Sequence, residues 1–210
     1  MSEELRVKFW GVRGSYPTPG AGTVKYGGNT ACVEIRLGER TIILDAGTGI
    51  IPLGRELAGT KRAREIMLLF SHLHHDHTQG FPFFVPAYLP NTKLHIFGPD
   101  GTHESLKNVL EHNQSSETFP VSLREMASSK DIQAVRESQV IVWDEAGVHA
   151  AHAIIAGGYK DMTAQIGFAE ARADARVEAV EVYVGGDYCG ETIVVAMVED
   201  LVELFNCPGG

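Results

Sequence analysis

The stretch from Ile66 to His77 constrains this chain more than any other. The apolar run Ile66-Met67-Leu68-Leu69-Phe70 stops at once in Ser71-His72-Leu73-His74-His75-Asp76-His77. Four histidines in six residues, with an aspartate among them, are what a buried strand carries when its tip delivers metal ligands. A polar surface turn that happens to be rich in histidine is the competing reading, and the abrupt junction of core strand and imidazole weighs against it. In the pattern His-x-His-x-Asp-His the alternation lets one short loop serve two adjacent ions. His72 and His74 would bind one, Asp76 and His77 the other.

With 210 residues the chain can build one sizeable core, or at a stretch two small ones, and it is read as a single domain over 1–210. It has no run of about eighteen apolar residues and no basic-then-apolar leader, which describes a soluble, untargeted protein with no membrane partner and the cytoplasm as its default location. Cys32, Cys189 and Cys207 are widely separated, form no CxxC pair and are read as structural. The net charge of −9 is unevenly placed: beyond His152 ten acids face three bases, a local −7 that leaves −2 for residues 1–152. No cluster of lysine or arginine tracks a nucleic-acid backbone, which argues against extended nucleic-acid binding, while a small anionic substrate fits. All nine histidines lie at or before His152, so a ligand from the last quarter of the chain is not imidazole.

In chain order, residues 5–10 read as a first strand, and the glycine- and proline-rich run from Gly11 to Gly20 as a shaped loop. Strands over 31–37 and 40–44 flank Gly38-Glu39, a hairpin turn. Asp45-Ala46-Gly47-Thr48-Gly49 follows directly, then a short helix over 50–58. Glycines there let backbone approach an ion or phosphate, although an ordinary tight turn has the same composition. Residues 81–88 are apolar and interrupted by proline, and read first as packing under the histidine loop, second as a pocket wall. A strand over 93–97, a helix over 102–112 and short strands over 132–135 and 140–143 follow. His95, His103 and His112 have no ligand-like neighbours. His149 or His152 is placed to complete the first ion's site. A strand over 177–184 ends at Gly185-Gly186-Asp187, where one carboxylate can give an oxygen to each of two ions, or simply cap a turn. The spacing of Val194, Val198, Leu201 and Phe205 predicts an amphipathic helix over 191–205.

This order of glycine-rich loop, hairpin, Asp-x-Gly turn, apolar strand, His72-x-His74-x-Asp76-His77, later histidine and strand-tip aspartate resembles the metallo-β-lactamase-fold hydrolases. The resemblance implies an α/β (α+β) chain folded as a four-layer αββα sandwich of two mixed sheets between outer helices. It covers residues 5–100 closely and 145–210 loosely. Gly11-x-Arg13-Gly14-Ser15, Gly27-Gly28-Asn29-Thr30, Asp45-Ala46-Gly47-Thr48-Gly49, Ser71-His72 and Gly80-Phe81-Pro82 are similar to the phosphodiesterase branch, which includes ribonuclease Z and the cyclic-phosphate phosphodiesterases. That family places a further histidine after the bridging aspartate, and this chain has none after His152. Three expectations remain open: Asp76, His77 and Asp187 hold the second ion with water, the chain lacks C-terminal strands, or a partner chain in a homodimer supplies a histidine. No basic, glycine-rich insertion matches the arm with which ribonuclease Z grips transfer RNA.

Two divalent ions about 3.5–4 Å apart acidify a shared water and stabilise charge on a phosphoryl or carbonyl oxygen. Nitrogen-rich ligation favours zinc, with manganese or iron as alternatives. On this reading His72, His74 and His149 (or His152) hold the first ion, Asp76 and His77 the second, and Asp187 bridges. Asp76 also accepts a proton or orients the nucleophile, and Asp45 fixes a ligand histidine's tautomer. Arg13 and the Gly47-Thr48-Gly49 backbone are the candidates for substrate oxygens, Arg13 equally for a salt bridge. The leading function is hydrolysis of a small phosphodiester. The alternatives are hydrolysis of a thioester, lactone or other carboxylic ester on the same ions, and a metal-binding or assembly protein without turnover. Two-iron redox relatives carry glutamate at the second histidine position, which His74 speaks against.

Overall fold

The computed structural model describes residues 5–37, 39–60, 65–99, 105–135, 139–143, 149–156, 161–170, 178–185 and 192–197, the later stretches as backbone and pairing. The chain divides after Ala134 into two compact units. The mixed α/β class expected from the sequence is what the structure has.

The first unit is built on a six-stranded sheet whose spatial order follows the sequence: β1 (Leu5–Gly11), β2 (Cys32–Leu37), β3 (Arg40–Leu44), β4 (Glu65–Leu69), β5 (Lys93–Pro99) and β6 (Ser129–Val135). β2 and β3 form the expected antiparallel hairpin, with Leu37 opposite Arg40. β4 then lies parallel to both β3 and β5. A parallel strand in mid-sheet is covered on both faces, which is why Ile66, Met67, Leu68 and Leu69 are all apolar and no more than 2% exposed.

The crossover from β3 to β4 carries helix α1 (Ile50–Gly59), which buries Ile50, Leu53, Gly54 and Leu57. Gly54 permits this packing, since a Cβ there would stand 2.8 Å from Phe84 Cδ2. Phe81, Phe84 and Ala87 are fully buried in the same core, so the proline-broken segment 81–88, wound into two short 3₁₀ turns, packs as its first reading held. A four-residue helix, α2 (His75–Thr78), forms where only a loop was expected. Helix α3 (Leu106–Asn113) begins later than predicted because Ser105, in an extended conformation, caps it by accepting from the Asn108 amide at 3.3 Å.

The second unit holds a five-stranded antiparallel meander: β7 (Gln139–Trp143), β8 (His149–Ala156), β9 (Asp161–Glu170), β10 (Glu178–Gly185) and β11 (Thr192–Met197). β11 corrects the predicted helix over 191–205. Thr192, Ile193, Val194 and Val195 are four β-branched residues in a row, which lose side-chain freedom in a helix and suit a strand. They pair with β10, Tyr183 lying opposite Val194. Residues 198–205 lie outside the described residues. Among the described residues, no helix is long and apolar enough to cross a membrane.

Because β4 is covered on both faces, truncating it leaves a void that its neighbours cannot fill. Leu68→Ala is expected to lower unfolding free energy by about 2–5 kcal/mol, read as a shift in the urea midpoint at unchanged slope. A loss under about 1 kcal/mol would contradict this burial.

Candidate metal centre

β3 and β4 end side by side, and the chemistry is assembled at their tips. Asp45 follows β3 directly, and its amide donates to Leu69 O at 2.8 Å. Its φ of 62° is left-handed, a conformation costly for a residue other than glycine. That backbone aims a carboxylate, only 2% exposed, at the start of the histidine loop. Oδ1 accepts from the Ser71 amide at 2.8 Å, Oδ2 from the Ser71 hydroxyl at 2.8 Å, and Oδ2 also from His77 Nδ1 at 2.9 Å.

Donor counting then fixes the tautomers. A carboxylate only accepts, so the proton of fully buried His77 sits on Nδ1 and leaves the lone pair on Nε2. The hydroxyl proton of Ser71 is given to Asp45, so Ser71 Oγ accepts from His72 Nδ1 at 3.1 Å, and His72 also turns a lone pair outward on Nε2. His72 Nε2 lies 3.0 Å from His74 Nδ1, within hydrogen-bond reach. His77 Nε2 lies 3.6 Å from Asp76 Oδ2. The four side chains thus converge at the strand tips, with the His72 ring 4.5 Å from that of His74 and 4.0 Å from that of His77. Nitrogen-rich, with one carboxylate, they suit zinc and related divalent ions.

Two sequence features not assigned roles beforehand hold these pairs. Ser71 links Asp45 to His72, and Ser15 donates its amide to Asp76 Oδ2 at 2.8 Å. A backbone amide has no side-chain signature, so only the glycine- and proline-rich context of Ser15 hinted at a shaped contact. α2 is stitched to the Asp45 turn by Ala46 N–H to His77 O at 2.7 Å and Gly80 N–H to Ala46 O at 2.8 Å. A Cβ on Gly47 would collide with Asp76 O and Thr30 Oγ1.

The remaining predicted residues fall as follows. The Gly47 amide donates to Ala31 O at 2.8 Å, and the Thr48 amide donates to Thr30 Oγ1 at 2.8 Å, so both are engaged within the fold. Arg13 is exposed, donates from Nε to Thr18 Oγ1 at 2.9 Å, and stands two residues from Ser15. Cys32 is fully buried, and that burial, with Asp45 and Glu34 nearby, pushes its thiol well above its usual pKa, an inert setting for a thiol. His149 and His152 lie in β8, opposite Glu170 and Gly167 of β9. Asp187 lies outside the described residues. Among the described residues, no group of three or more His, Cys, Asp or Glu side chains is set to hold an ion, so each pair stands as two donors.

The model of a family described as beta-lactamase superfamily domain matches residues 40–182. Ribonuclease Z of Pyrococcus abyssi is 26% identical over 158 residues, covering 74% of this chain and 47% of its own length. The chain spans about half the length of the curated relatives it matches first. Solved structures that align with it include a diphosphatase of the PhnP family, at 15% identity and a TM-score of 0.48 over 80% of this chain and 62% of that one. Unliganded yeast PDE1 aligns at 14% identity and a TM-score of 0.48 over 98% of this chain and 68% of that one.

The Asp45 arrangement makes a ranked prediction. Asp45→Asn keeps the shape but turns a donor toward groups that themselves donate, and is expected to lower stability by about 1–3 kcal/mol. Ser71→Ala keeps both the amide and His77 contacts and is expected to lose about 1 kcal/mol. Urea denaturation of the two variants beside wild type checks the order, and Ser71→Ala as the costlier change would refute the assignment.

Proposed function

The chain belongs to the beta-lactamase superfamily domain family, and from that membership we propose that it is a metal-dependent hydrolase that cleaves a small phosphodiester. The observation that carries the reading is the chain from Asp45 through His77 Nδ1 to an outward Nε2 beside Asp76 Oδ2. A buried carboxylate that sets an imidazole's tautomer is the arrangement that raises ligand basicity at metal sites. The phosphodiester class is supported by the relative named ribonuclease Z.

In this mechanism His72 and His74 would hold one divalent ion and Asp76 and His77 a second, and the sequence offers His149 or His152 and Asp187 as the further ligands. Zinc suits the imidazoles best, and manganese or iron are compatible. When bound, such ions supply Lewis acidity for activating water and for charge building on the phosphoryl oxygens. Asp45 keeps His77 in its ligating tautomer. Ser15 N–H holds one oxygen of Asp76, leaving the other carboxylate oxygen to orient the nucleophile or take its proton. Arg13, exposed on the same loop, offers a planar cation to the substrate's phosphate.

The test is turnover of bis(p-nitrophenyl) phosphate beside a panel of thioesters and lactones by metal-loaded protein. Phosphodiester cleavage is expected. His74→Ala, an exposed position, should keep its circular dichroism spectrum and lose most of its activity. Cleavage of the thioester or lactone panel alone would move the assignment to carboxylic esters. Cleavage of neither, with His74→Ala changing only metal content, would leave a metal-binding protein without turnover.

A further inference from the structure

Ser71 stands just beyond β4, and its hydroxyl meets both the buried carboxylate and the rings of the histidine loop. Oγ lies 2.8 Å from Asp45 Oδ2 and 3.0 Å from Asp45 Oδ1. His72 Nδ1 is 3.1 Å from it, and His77 Nδ1 3.4 Å. A hydroxyl has one proton to give, so the chemistry of these partners decides where it goes. Given to His72, it would leave a serine lone pair facing a carboxylate oxygen at 2.8 Å with no proton between them. Given to Asp45, it leaves the serine oxygen free to accept. His77 Nδ1 has a shorter contact to Asp45 Oδ2, at 2.9 Å, and spends its proton there. His72 Nδ1 is therefore the donor to Ser71.

Asp45 thus acts on the two sides of the centre by different routes, directly on His77 and through the Ser71 hydroxyl on His72. An oxygen whose own proton is drawn toward a carboxylate is also the stronger acceptor, which reinforces the second route. The routes can be cut separately. Without the hydroxyl, His77 keeps its contact to Asp45, and the Ser71 amide still donates to Asp45 Oδ1 at 2.8 Å.

We propose that Ser71 is a positioning residue for ion uptake. Its hydroxyl holds His72 with the proton on Nδ1 and the lone pair on Nε2, and so sets the affinity of the His72 side of the centre without setting that of the Asp76–His77 side. This rests on reading these side chains as metal ligands, and it holds whichever ester is the substrate.

Zinc uptake by ion-free protein, measured by competition with a chromophoric chelator, tests the role in wild type, Ser71→Ala and Ser71→Thr. Ser71→Ala should weaken one ion about tenfold or more, the effect of removing a group that orients a ligand histidine, while another keeps its affinity. The imidazole nitrogen resonances of His72 in ion-free protein should report a proton on Nδ1 in wild type and a mixture of neutral forms in Ser71→Ala. Ser71→Thr keeps the hydroxyl and should restore both readouts. Unchanged zinc affinity in Ser71→Ala, a loss shared equally by every ion, the same loss in Ser71→Thr, or a loss with His72 still protonated on Nδ1 would overturn this role and leave the metal-dependent reading intact. A wild-type His72 protonated on Nε2 would overturn it without any variant. A wild-type protein that takes up no zinc would remove the metal-dependent reading and this inference with it.

Discussion

The Asp45 carboxylate takes three donors at the tip of the sheet: the Ser71 amide, the Ser71 hydroxyl and His77 Nδ1. Each ties down a different part of the centre. The amide fixes where the chain leaves β4, the hydroxyl orients the serine that accepts from His72, and the imidazole contact sets α2 in rotation and register. A buried carboxylate is costly unless its oxygens are matched by donors. Here they are, so desolvation works in favour of a single arrangement.

The same constraint explains the glycines around it. For Asp45 to reach His77, the turn after β3 must lie against α2 at backbone contact. Gly80 cannot carry a Cβ, because the atom would collide with Gly47 O. Gly47 meets Asp76 O and Thr30 Oγ1 in the same way. The composition that looked like a phosphate-cradling loop is thus accounted for by close packing of two turns, with the Gly47 and Thr48 amides already engaged inside the fold.

What could be read from the sequence was what local pattern determines. The apolar run at 66–70 announced a covered strand, and the spacing of 31–37 and 40–44 a hairpin. Asp45 was expected to hydrogen-bond a histidine of the loop, and its Oδ2 lies 2.9 Å from His77 Nδ1. What failed depended on distant partners. Ser15 acts on Asp76 across 61 residues through an amide, which every residue but proline possesses. The helical spacing read from Val194 to Phe205 begins inside a β-branched run, Thr192 to Val195, and that run pairs with β10. β8, which is rich in alanine, has little strand propensity of its own and is a strand because β7 and β9 flank it.

The two donor pairs are not equivalent, and the difference follows from their supports. Asp76 and His77 are 6% and 0% exposed, and each has a partner that fixes it from behind, Ser15 and Asp45. Both of those partners have positive φ, the two residues other than glycine that do so among the described residues. His74 is exposed, and the described partner of its ring is His72 itself. Backbone strain is thus concentrated behind the inner pair, where it is balanced by buried hydrogen bonds, while in the outer pair His72 meets Ser71, His74 and the ring of His77. On the proposed function, an inner pair locked in its ligating form would lose little entropy on taking up an ion, whereas the outer pair would have to be ordered at that moment. The loop therefore joins a preorganised half, facing the core, to an adaptable half facing solvent.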